Sequence, residues 1–304
     1  MTSLHVVVAG SSGFLGTHLR SALGARGHRV TALVRTPDAG PGQSTWDPYA
    51  GVYDRTVIET ADVVVNLAGA PTLGNPHSQK WARELRESRV TTTRVLASAI
   101  ASSDRKPAFL AGNGISYYGD HGDQPLPESA DSRGDALLTS VTRDWQAVAE
   151  PAAEAGARLV VLRTAPVMDR RAAPLQQLRL LFKVGGGGKL GNGQQYMPQI
   201  SLRDWVGAVV HLAEHPTASG PANLCCPVTP TNAEFTKALA KALHRPAVAT
   251  VPRVVLDKAA GAMAPELLNS LNTRPAMLEG SGYDFSDRDV HAVIRAALEP
   301  ADPA

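Results

Sequence analysis

The chain has 304 residues, of which 43% are hydrophobic and 19% charged, and its formal net charge is +2. This length and composition suffice for one large α/β domain with a smaller lobe around a buried core. The near-neutral charge, with no basic tract, argues against a nucleic-acid partner. No stretch approaches the roughly 20 apolar residues of a membrane helix, and the first residues lack signal-peptide features. We therefore expect a cytoplasmic protein with no membrane partner.

The cysteines and histidines suggest neither a disulfide nor a metal centre. Cys225 and Cys226 are adjacent, and adjacent cysteines bridge only with strain, so we expect free thiols in a reducing compartment. No histidine partner is evident for a nucleophilic cysteine. The nine histidines show no metal-ligand spacing, and the sequence predicts no metal site.

Short apolar runs alternate with amphipathic stretches through the first half of the chain. The predicted strands are, in chain order, 5–9, 29–34, 63–67, 107–111 and 158–162. The predicted helices between them are 14–24, 79–102 and 137–155. Nearly continuous apolar strands separated by helices predict a parallel sheet covered on both faces, which is a Rossmann-type, doubly wound α/β fold.

After Arg163 the regular alternation of apolar runs and amphipathic stretches ends. A glycine-rich turn at 183–193 precedes a predicted helix at 202–213, a strand at 222–226 and a helix whose N-cap we predict to be Asn232. The remainder, 252–299, reads as mostly helical. We predict a dinucleotide-binding domain over residues 1–165, with its sheet completed within 200–227. The rest, 166–304, then forms a smaller substrate-binding lobe that includes the C-terminal helices.

The strongest motif is Gly10-Ser11-Ser12-Gly13-Phe14-Leu15-Gly16, which follows a predicted strand and opens a predicted helix. Gly10 permits a tight turn, Gly13 lets the backbone approach a pyrophosphate, and Gly16 lets the helix pack on the strand. The helix start offers free N–H groups and the positive end of its dipole to phosphates. This context favours dinucleotide binding over a merely tight turn.

The end of the second strand indicates which dinucleotide is bound. It reads Leu33-Val34-Arg35-Thr36, with no acidic residue to hold the ribose hydroxyls of NAD. Arg35 suits the 2′-phosphate of NADP, and the alternative is a solvated charge at the end of a strand. After the strand at 63–67, Leu67-Ala68-Gly69 would run past the ribose and pyrophosphate, where small residues are needed to leave room for the cofactor. The alternative is that this segment is simply a turn. We predict NADP(H) as the cofactor.

Three segments of the chain resemble the extended, or atypical, short-chain dehydrogenase/reductases. They are Gly10-xx-Gly13-xx-Gly16, Asn66-Leu67-Ala68-Gly69 and Tyr117-Tyr118-Gly119-Asp120. Further segments are similar to a sugar-nucleotide-epimerase-like subgroup of the NAD-dependent epimerase/dehydratase family. This subgroup is named after a cell-division inhibitor and has its own small C-terminal domain. These segments are Trp46-Asp47-Pro48, Ser88-Arg89-Val90, Asp144-Trp145, Gly191-Asn192-Gly193-Gln194-Gln195, Pro227, Asn232-Ala233-Glu234-Phe235, Pro252, Pro275 and Gly282-Tyr283-Asp284-Phe285.

The resemblance covers nearly the whole chain. It implies NADP binding and an oxidoreductase or epimerase activity on a small-molecule substrate. At the position of Arg89, extended members usually have an asparagine near the cofactor. The resemblance therefore implies that the Arg89 side chain lies beside the nicotinamide. The alternative is that Arg89 is an arginine on a helix surface. Arg203-Asp204 resembles a strand-to-helix junction, where capping or an ion pair is expected.

The family's catalytic residues are a Ser or Thr after the fifth strand and a Tyr-xxx-Lys pair on the next helix. Here the first position falls on or beside Asn113-Gly114, and Thr139 and Arg143 occupy roughly the places of the pair. Threonine is no phenolic acid, and arginine does not readily deprotonate. The family mechanism therefore does not carry over to this chain.

Three alternatives remain for the proton. Tyr117 or Tyr118 donates it while Asn113 or Ser116 polarises a carbonyl, although both tyrosines also suit plain packing beside the sheet. Substrate or water supplies it instead, with the protein only positioning the reactants. In the third alternative there is no turnover, and the chain senses or stores NADP(H).

We expect the substrate in a cleft at the carboxyl edge of the sheet. The candidate contacts, which also suit ordinary loop or strand roles, are Trp145, Arg163, Gln195, Met197 and Gln199. The leading hypothesis is an NADP(H)-dependent oxidoreductase acting on a small carbonyl or alcohol. The alternatives are a catalytically silent NADP(H)-binding protein and a nucleotide-sugar epimerase. The sequence does not indicate which oligomeric state the protein adopts.

Overall fold

The computed structural model describes residues 2–247 and 249–300. The strands are β1 (His5–Ala9), β2 (Arg29–Val34), β3 (Gln43–Asp47), β4 (Val52–Tyr53), β5 (Val63–Asn66), β6 (Ala108–Gly114), β7 (Leu159–Thr164), β8 (Val167–Met168), β9 (Gly188–Leu190), β10 (Ile200–Ser201), β11 (Gly220–Leu224) and β12 (Ala249–Val251). Strands β8 and β10 form one parallel pair, and β9 and β12 form another.

The α-helices are α1 (Phe14–Ala25), α2 (Arg55–Glu59), α3 (Gln79–Ser102), α4 (Leu137–Ala147), α5 (Glu150–Glu154), α6 (Ala173–Lys183), α7 (Leu202–Glu214), α8 (Asn232–Leu243), α9 (Arg253–Ala260), α10 (Ala264–Leu268), α11 (Ala276–Gly280) and α12 (Val290–Leu298). Single 3₁₀ turns lie at Ile115–Tyr118 and Gly261–Met263. None of the helices within the described ranges has the length and apolar character needed to cross a membrane.

The main sheet has the order β11-β7-β6-β5-β1-β2-β3-β4, with eight strands among the described residues. Strand β1 pairs in parallel with β2 on one side and with β5 on the other. The chain therefore winds outward from β1 in both directions, and the carboxyl ends of β1 and β5 flank the point where the order reverses. This confirms the predicted Rossmann-type α/β fold, and β11 lies in the main sheet as expected. The short antiparallel strand β4 at the edge was not predicted.

The buried strands explain why the sheet is covered on both faces. Every residue of β1 and of β5 is buried, because both strands are apolar almost throughout. Val7 and Val64 pack with Phe109 and with Leu96 and Ile100 of α3 in one hydrophobic cluster. The long apolar stripe of α3 therefore holds this helix against the sheet.

Two predicted helix features were wrong. The predicted single helix over 137–155 is two helices, because Pro151 in the first turn of α5 has no N–H to continue the ladder. The N-cap of α8 is Thr231 and not Asn232: the Thr231 side chain accepts from the Glu234 amide in a capping box. Asn232 is instead the first helical residue, and its Oδ1 accepts from the Leu190 amide at 2.8 Å.

The chain divides into two compact units built from alternating segments. The first comprises the described residues up to Asn113, with Val141–Leu162 and Val206–Ala222. The second comprises Gly114–Ser140, Arg163–Trp205 and the described residues from Asn223 onward. The predicted boundary between residues 165 and 166 stays a prediction, since compactness alone does not show which segments fold independently.

A buried carboxylate organises the C-terminal part of the second unit. Asp204, on α7, is 1% exposed and accepts from the Tyr283 hydroxyl at 3.0 Å and from the amides of Ser286 and Asp287 at 2.9 and 2.7 Å. Arg203 donates to both carboxylate oxygens of Asp287. The expected ion pair at this junction is therefore present, and it ties the Tyr283 segment to α7.

Replacing Asp204 by asparagine should lower the free energy of unfolding by about 2–4 kcal/mol, because an amide NH₂ would face backbone donors in a buried place. Tyr283→Phe, which removes the hydroxyl shared between the Asp204 carbonyl and Oδ1, should cost about 1 kcal/mol. Urea denaturation measures both. Asp284→Asn is the control, because the Asp284 side chain is 98% exposed and should change stability by less than about 0.5 kcal/mol. Equal losses at positions 204 and 284 would contradict the assignment.

Candidate dinucleotide and proton-transfer sites

The loop after β1 works only with glycine at two of its positions. Gly10 has a φ of +75°, and a Cβ there would lie 2.5 Å from the Leu67 carbonyl carbon. A Cβ at Gly16 would lie 2.2 Å from the Gly10 carbonyl oxygen. The turn is closed by a 3.1 Å hydrogen bond from the Gly13 amide to the Gly10 carbonyl. These glycines let α1 start directly against the carboxyl ends of β1 and β5.

The start of α1 has the character of an anion site. Gly13 is its N-cap and supplies no side-chain hydrogen bond to the first turn, and that turn contains no acidic residue. The N-terminal amides and the positive end of the helix dipole are thus left for a ligand rather than used by a capping side chain. Ser11, predicted with the loop, is buried, whereas Ser12 is exposed.

Arg35 lies just beyond β2, at the same sheet edge. It is exposed, and within the described residues its guanidinium has no ion pair and no hydrogen bond. Five donors in a planar fork are therefore free to bind a phosphate.

The segment after β5 is shaped by Asn66. The Asn66 Oδ1 accepts from the Ala68 amide at 3.0 Å, and its Nδ2 donates to the Thr93 hydroxyl at 2.8 Å on α3. This local turn, anchored to a helix, sets the direction in which Leu67, Ala68 and Gly69 leave the strand.

Arg89 of α3 folds over that segment rather than into solvent. It donates to the carbonyls of Ala70 at 3.1 Å and Leu85 at 3.0 Å, and to the Thr72 hydroxyl at 3.0 Å. Burial lowers the pKa of Arg89 to about 10. No carboxylate pairs with it in the described part of the chain. A half-buried cation that lacks a carboxylate partner favours an anionic ligand nearby.

Trp145, a predicted substrate contact, lies beside Arg89. The Arg89 Cζ is 5.2 Å from the centre of the Trp145 ring, and the indole N–H donates to Thr93 at 2.6 Å. A Cβ at Gly112 would come within 3.1 Å of this ring. The nearby Asn113, a catalytic candidate, donates its amide to the Thr142 carbonyl at 3.0 Å and is buried. Trp145 and Asn113 thus join α4 to β6 and α3.

The two neighbouring tyrosines of the second unit differ sharply. The Tyr118 ring is fully buried, and its hydroxyl donates to Asn223 at 2.7 Å and accepts from Arg163 at 2.8 Å. Burial raises the pKa of Tyr118 to about 12. Tyr117 is half-buried, and its hydroxyl has no hydrogen-bond partner within the described residues. Of the two, Tyr117 is the more available proton donor.

Arg163 holds this tyrosine pair in place. It is 2% exposed, its Cζ lies 3.6 Å from the centre of the Tyr117 ring, and it also donates to the Glu128 carbonyl. The Glu128 carboxylate in turn accepts from the amides of Asn223 and Met277. Burial raises the pKa of Glu128. Arg163, predicted to bind substrate, is therefore engaged in cation–π and hydrogen-bond contacts with its own chain.

Ser116, the remaining catalytic candidate, has a partner that sequence reasoning missed. Its hydroxyl donates to Glu266 Oε2 at 2.5 Å. Glu266 lies on α10, 150 residues further along the chain, in a stretch with no motif. No local signal links two residues so far apart, so only the fold brings them together.

The other predicted substrate residues lie in the second unit, and they differ in whether their side chains make hydrogen bonds within the chain. Gln195 donates to the carbonyls of Leu190 and Leu267, both at 3.1 Å, and the Met197 sulfur accepts from Asn232. Gln199 is 1% exposed, and neither atom of its amide has a hydrogen-bond partner in the described ranges. Gln199 therefore keeps its polar atoms available to a ligand or to water.

Cys225 and Cys226 are free and buried. Burial raises the pKa of the Cys226 thiol to about 12 and also raises that of Cys225, so neither is a ready nucleophile. The described residues contain no group of histidine, cysteine and carboxylate side chains able to hold a metal ion.

A glycine turn at the switch point of a doubly wound sheet, with a free arginine beyond the second strand, defines a dinucleotide-binding protein of the Rossmann type. The family model described as "NAD dependent epimerase/dehydratase family" matches residues 6–225. The chain therefore belongs to this family, which confirms the resemblance to extended short-chain dehydrogenase/reductases.

Individual relatives support the same assignment. An epimerase family protein of Mycobacterium leprae is 38% identical over 97% of this chain and 95% of its own length. The crystal structure of the human epimerase family protein SDR39U1 (isoform 2) with NADPH aligns at a TM-score of 0.86 with 31% identity, covering 97% of this chain and 99% of that one. A nucleoside-diphosphate sugar epimerase from Corynebacterium glutamicum aligns at 0.77 with 31% identity, covering 98% of this chain and 58% of that one.

Two glycines of α1 should respond oppositely to alanine. Gly16→Ala should lower the free energy of unfolding by roughly 1–3 kcal/mol, because its methyl group would collide with the Gly10 carbonyl. Gly24→Ala should raise it by about 0.5–1 kcal/mol, because nothing lies within 4 Å of that Cβ. Urea melts of the two variants give the comparison, and a stabilised Gly16→Ala protein would be inconsistent with the packing described.

Proposed function

We propose that this chain is a cytoplasmic, NADP(H)-dependent oxidoreductase that acts on a small carbonyl or alcohol. The observation that carries the proposal is the Gly10–Gly16 turn at the uncapped start of α1, together with the unpaired, exposed Arg35 at the same sheet edge. The turn fits a diphosphate, because there is no side chain where the backbone must approach it. Arg35 fits the extra phosphate of NADP, and no acidic residue at the end of β2 favours NAD.

Relatives support the choice of cofactor. The human epimerase family protein was solved with NADPH, and it is 31% identical across 97% of this chain. Arg89 adds a second cation near the path of the ligand, since it covers the segment after Gly69 and has no carboxylate partner among the described residues. We infer that Gly10–Gly16, Arg35, Leu67–Gly69 and Arg89 hold the dinucleotide.

The chemistry divides between cofactor and protein. Bound NADPH supplies a hydride to a carbonyl carbon, and the protein must provide a proton for the oxygen. Tyr117 is our candidate donor, because its hydroxyl is unpaired and Arg163 lies against its ring. Ser116 is our candidate for polarising the carbonyl.

We choose the substrate contacts by whether the polar atoms of each candidate side chain already have a hydrogen-bond partner within the chain. Gln199 has an amide with no partner among the described residues, whereas Arg163, Gln195 and Met197 are engaged within the chain. We therefore propose that Gln199 contacts the substrate directly, and that the other three shape its surroundings. A carbonyl or hydroxyl group on the substrate satisfies the Gln199 amide.

A second candidate function is NADP(H) binding without turnover. It is favoured by the replacement of the Tyr-xxx-Lys pair by Thr139 and Arg143, and by the burial of the Tyr118 hydroxyl between Asn223 and Arg163. The third alternative, a nucleotide-sugar epimerase, needs an acid/base residue for reversible oxidation of its substrate, and the family's tyrosine is missing here as well.

Arg35→Ala should weaken NADPH binding about 10- to 100-fold and leave NADH binding nearly unchanged, because only NADPH carries the 2′-phosphate. Calorimetric or fluorescence titration measures both affinities. Arg29→Ala is the matched control: Arg29 is also exposed, but it begins β2 at the opposite edge of the sheet. Equal losses for the two cofactors, or tighter binding of NADH by the wild type, would remove Arg35 from the site. No binding of either cofactor at millimolar concentration would overturn the proposed function.

Tyr117→Phe should lower kcat for NADPH-dependent carbonyl reduction by about 100-fold or more, because a general acid contributes that much. A panel of aldehydes and ketones, followed by NADPH absorbance, measures the rate. NADPH affinity serves as the control and should not change. Tight NADPH binding by the wild type without turnover of any compound would support the silent alternative. Conversion of a nucleotide sugar without net cofactor oxidation would support the epimerase.

A further inference from the structure

The contact between Ser116 and Glu266 stands apart from the other polar pairs of the second unit. Ser116 belongs to the 3₁₀ turn after β6, two or three residues beyond Asn113-Gly114, where the resemblance places the family's catalytic Ser or Thr. Its hydroxyl donates to Glu266 Oε2 at 2.5 Å. The second carboxyl oxygen of Glu266, Oε1, is buried and has no hydrogen-bond partner in the described part of the chain.

Among the residues that the structure describes, none supplies a counter-charge to Glu266. Helix α9 and the turn Gly261–Met263 pack against α10. The turn has no titratable side chain, and Arg253, Asp257 and Lys258 of α9 are all exposed. The segment that bears Ser116 brings only Tyr117 and Tyr118. Burial raises the pKa of Glu266 to about 7, and the hydrogen bond from Ser116 opposes this rise. Both protonation states of Glu266 are thus present near neutral pH.

The two states give Ser116 opposite hydrogen-bonding directions. An ionised carboxylate only accepts, so the Ser116 proton points toward Glu266 and the serine presents lone pairs to a ligand. A neutral carboxyl group donates its own proton to the Ser116 oxygen, which frees the Ser116 hydroxyl proton to point at a substrate oxygen. Only the second arrangement polarises a carbonyl.

We propose that Glu266 is a positioning residue whose neutral form turns the Ser116 hydroxyl toward the substrate carbonyl, so that protonation of Glu266 switches the site into its carbonyl-reducing state. This proposal rests on the proposed function and names its regulation by pH. No covalent bond to the substrate is made by either residue. The proton that Glu266 shares with Ser116 stays on the pair, and the proton that the product gains comes from Tyr117.

The first test needs no substrate. Carbon-13 NMR of protein labelled at the glutamate carboxyl carbons, saturated with NADPH, follows each carboxyl across about pH 5 to 9. Glu266→Gln assigns the Glu266 signal by removing it. We expect that signal to titrate near neutral pH and to move to higher pH in Ser116→Ala, which loses the opposing hydrogen bond. Titration of Glu266 below about pH 5 would overturn the proposal whether or not a substrate is found.

Stability gives an independent check that Glu266→Gln folds. A carboxyl whose folded-state pKa is raised stabilises the fold fully below its unfolded pKa and loses that contribution as pH rises through the folded value. Glutamine has no such loss. The Tm of Glu266→Gln should therefore exceed that of the wild type at about pH 8.5 and should match it at about pH 5. Glu279→Gln, at a half-exposed surface carboxylate, is the matched control and should show no such dependence on pH.

The second test uses turnover. Wild-type kcat for carbonyl reduction should fall about tenfold for each pH unit above the Glu266 pKa. Glu266→Gln should keep the low-pH rate and lose this decline, because its NH₂ group is able to donate to Ser116 at every pH. A purely structural role would leave the pH profile unchanged, and that result in an active protein would overturn the proposal. If the wild type turns over no compound, the proposed oxidoreductase function fails, and the NMR titration still decides whether Glu266 holds a proton near neutrality.

Discussion

The nucleotide end of the molecule depends on a close approach of backbone to backbone at residues 10 and 16. A methyl group at Gly10 would meet the Leu67 carbonyl carbon at 2.5 Å, and one at Gly16 would meet the Gly10 carbonyl at 2.2 Å. Because neither position has a side chain, α1 begins directly above the carboxyl ends of β1 and β5. Its first-turn amides, which Gly13 leaves without a side-chain cap, are where we propose that a diphosphate binds.

The proposed proton transfer depends on a second constraint: a 3₁₀ turn points adjacent side chains in different directions. Successive residues in such a turn point about 120° apart. Tyr118 is therefore buried against Asn223 and Arg163, while Tyr117 keeps an unpaired hydroxyl and Ser116 reaches Glu266. Three consecutive polar residues thus have three different environments. In this family member, whose Tyr-xxx-Lys positions hold Thr139 and Arg143, these environments make Tyr117 our candidate proton donor and Ser116, positioned by Glu266, our candidate for polarising the carbonyl.

Local pattern was a good guide wherever a strong local preference decided the structure. Helix α3 begins and ends where its apolar periodicity predicted, and the fully buried, mostly apolar strands β1 and β5 lie at the centre of the sheet. Prediction was wrong where neighbours compete for the same role. Thr231 and Asn232 are adjacent and both suit an N-cap, and the reciprocal hydrogen bonds with Glu234, three residues beyond Thr231, decided for the threonine.

The sequence by itself determined the Rossmann topology, the glycine turn and the exposed arginine after β2, because each depends on residues close together in the chain or on the period of apolar positions. Tertiary structure alone decided that Tyr118 is buried, that Arg163 stacks on Tyr117, and that Ser116 meets Glu266. Those contacts join residues up to 150 positions apart. Burial and hydrogen bonding across such separations set the chemistry of a side chain, and no local pattern encodes them.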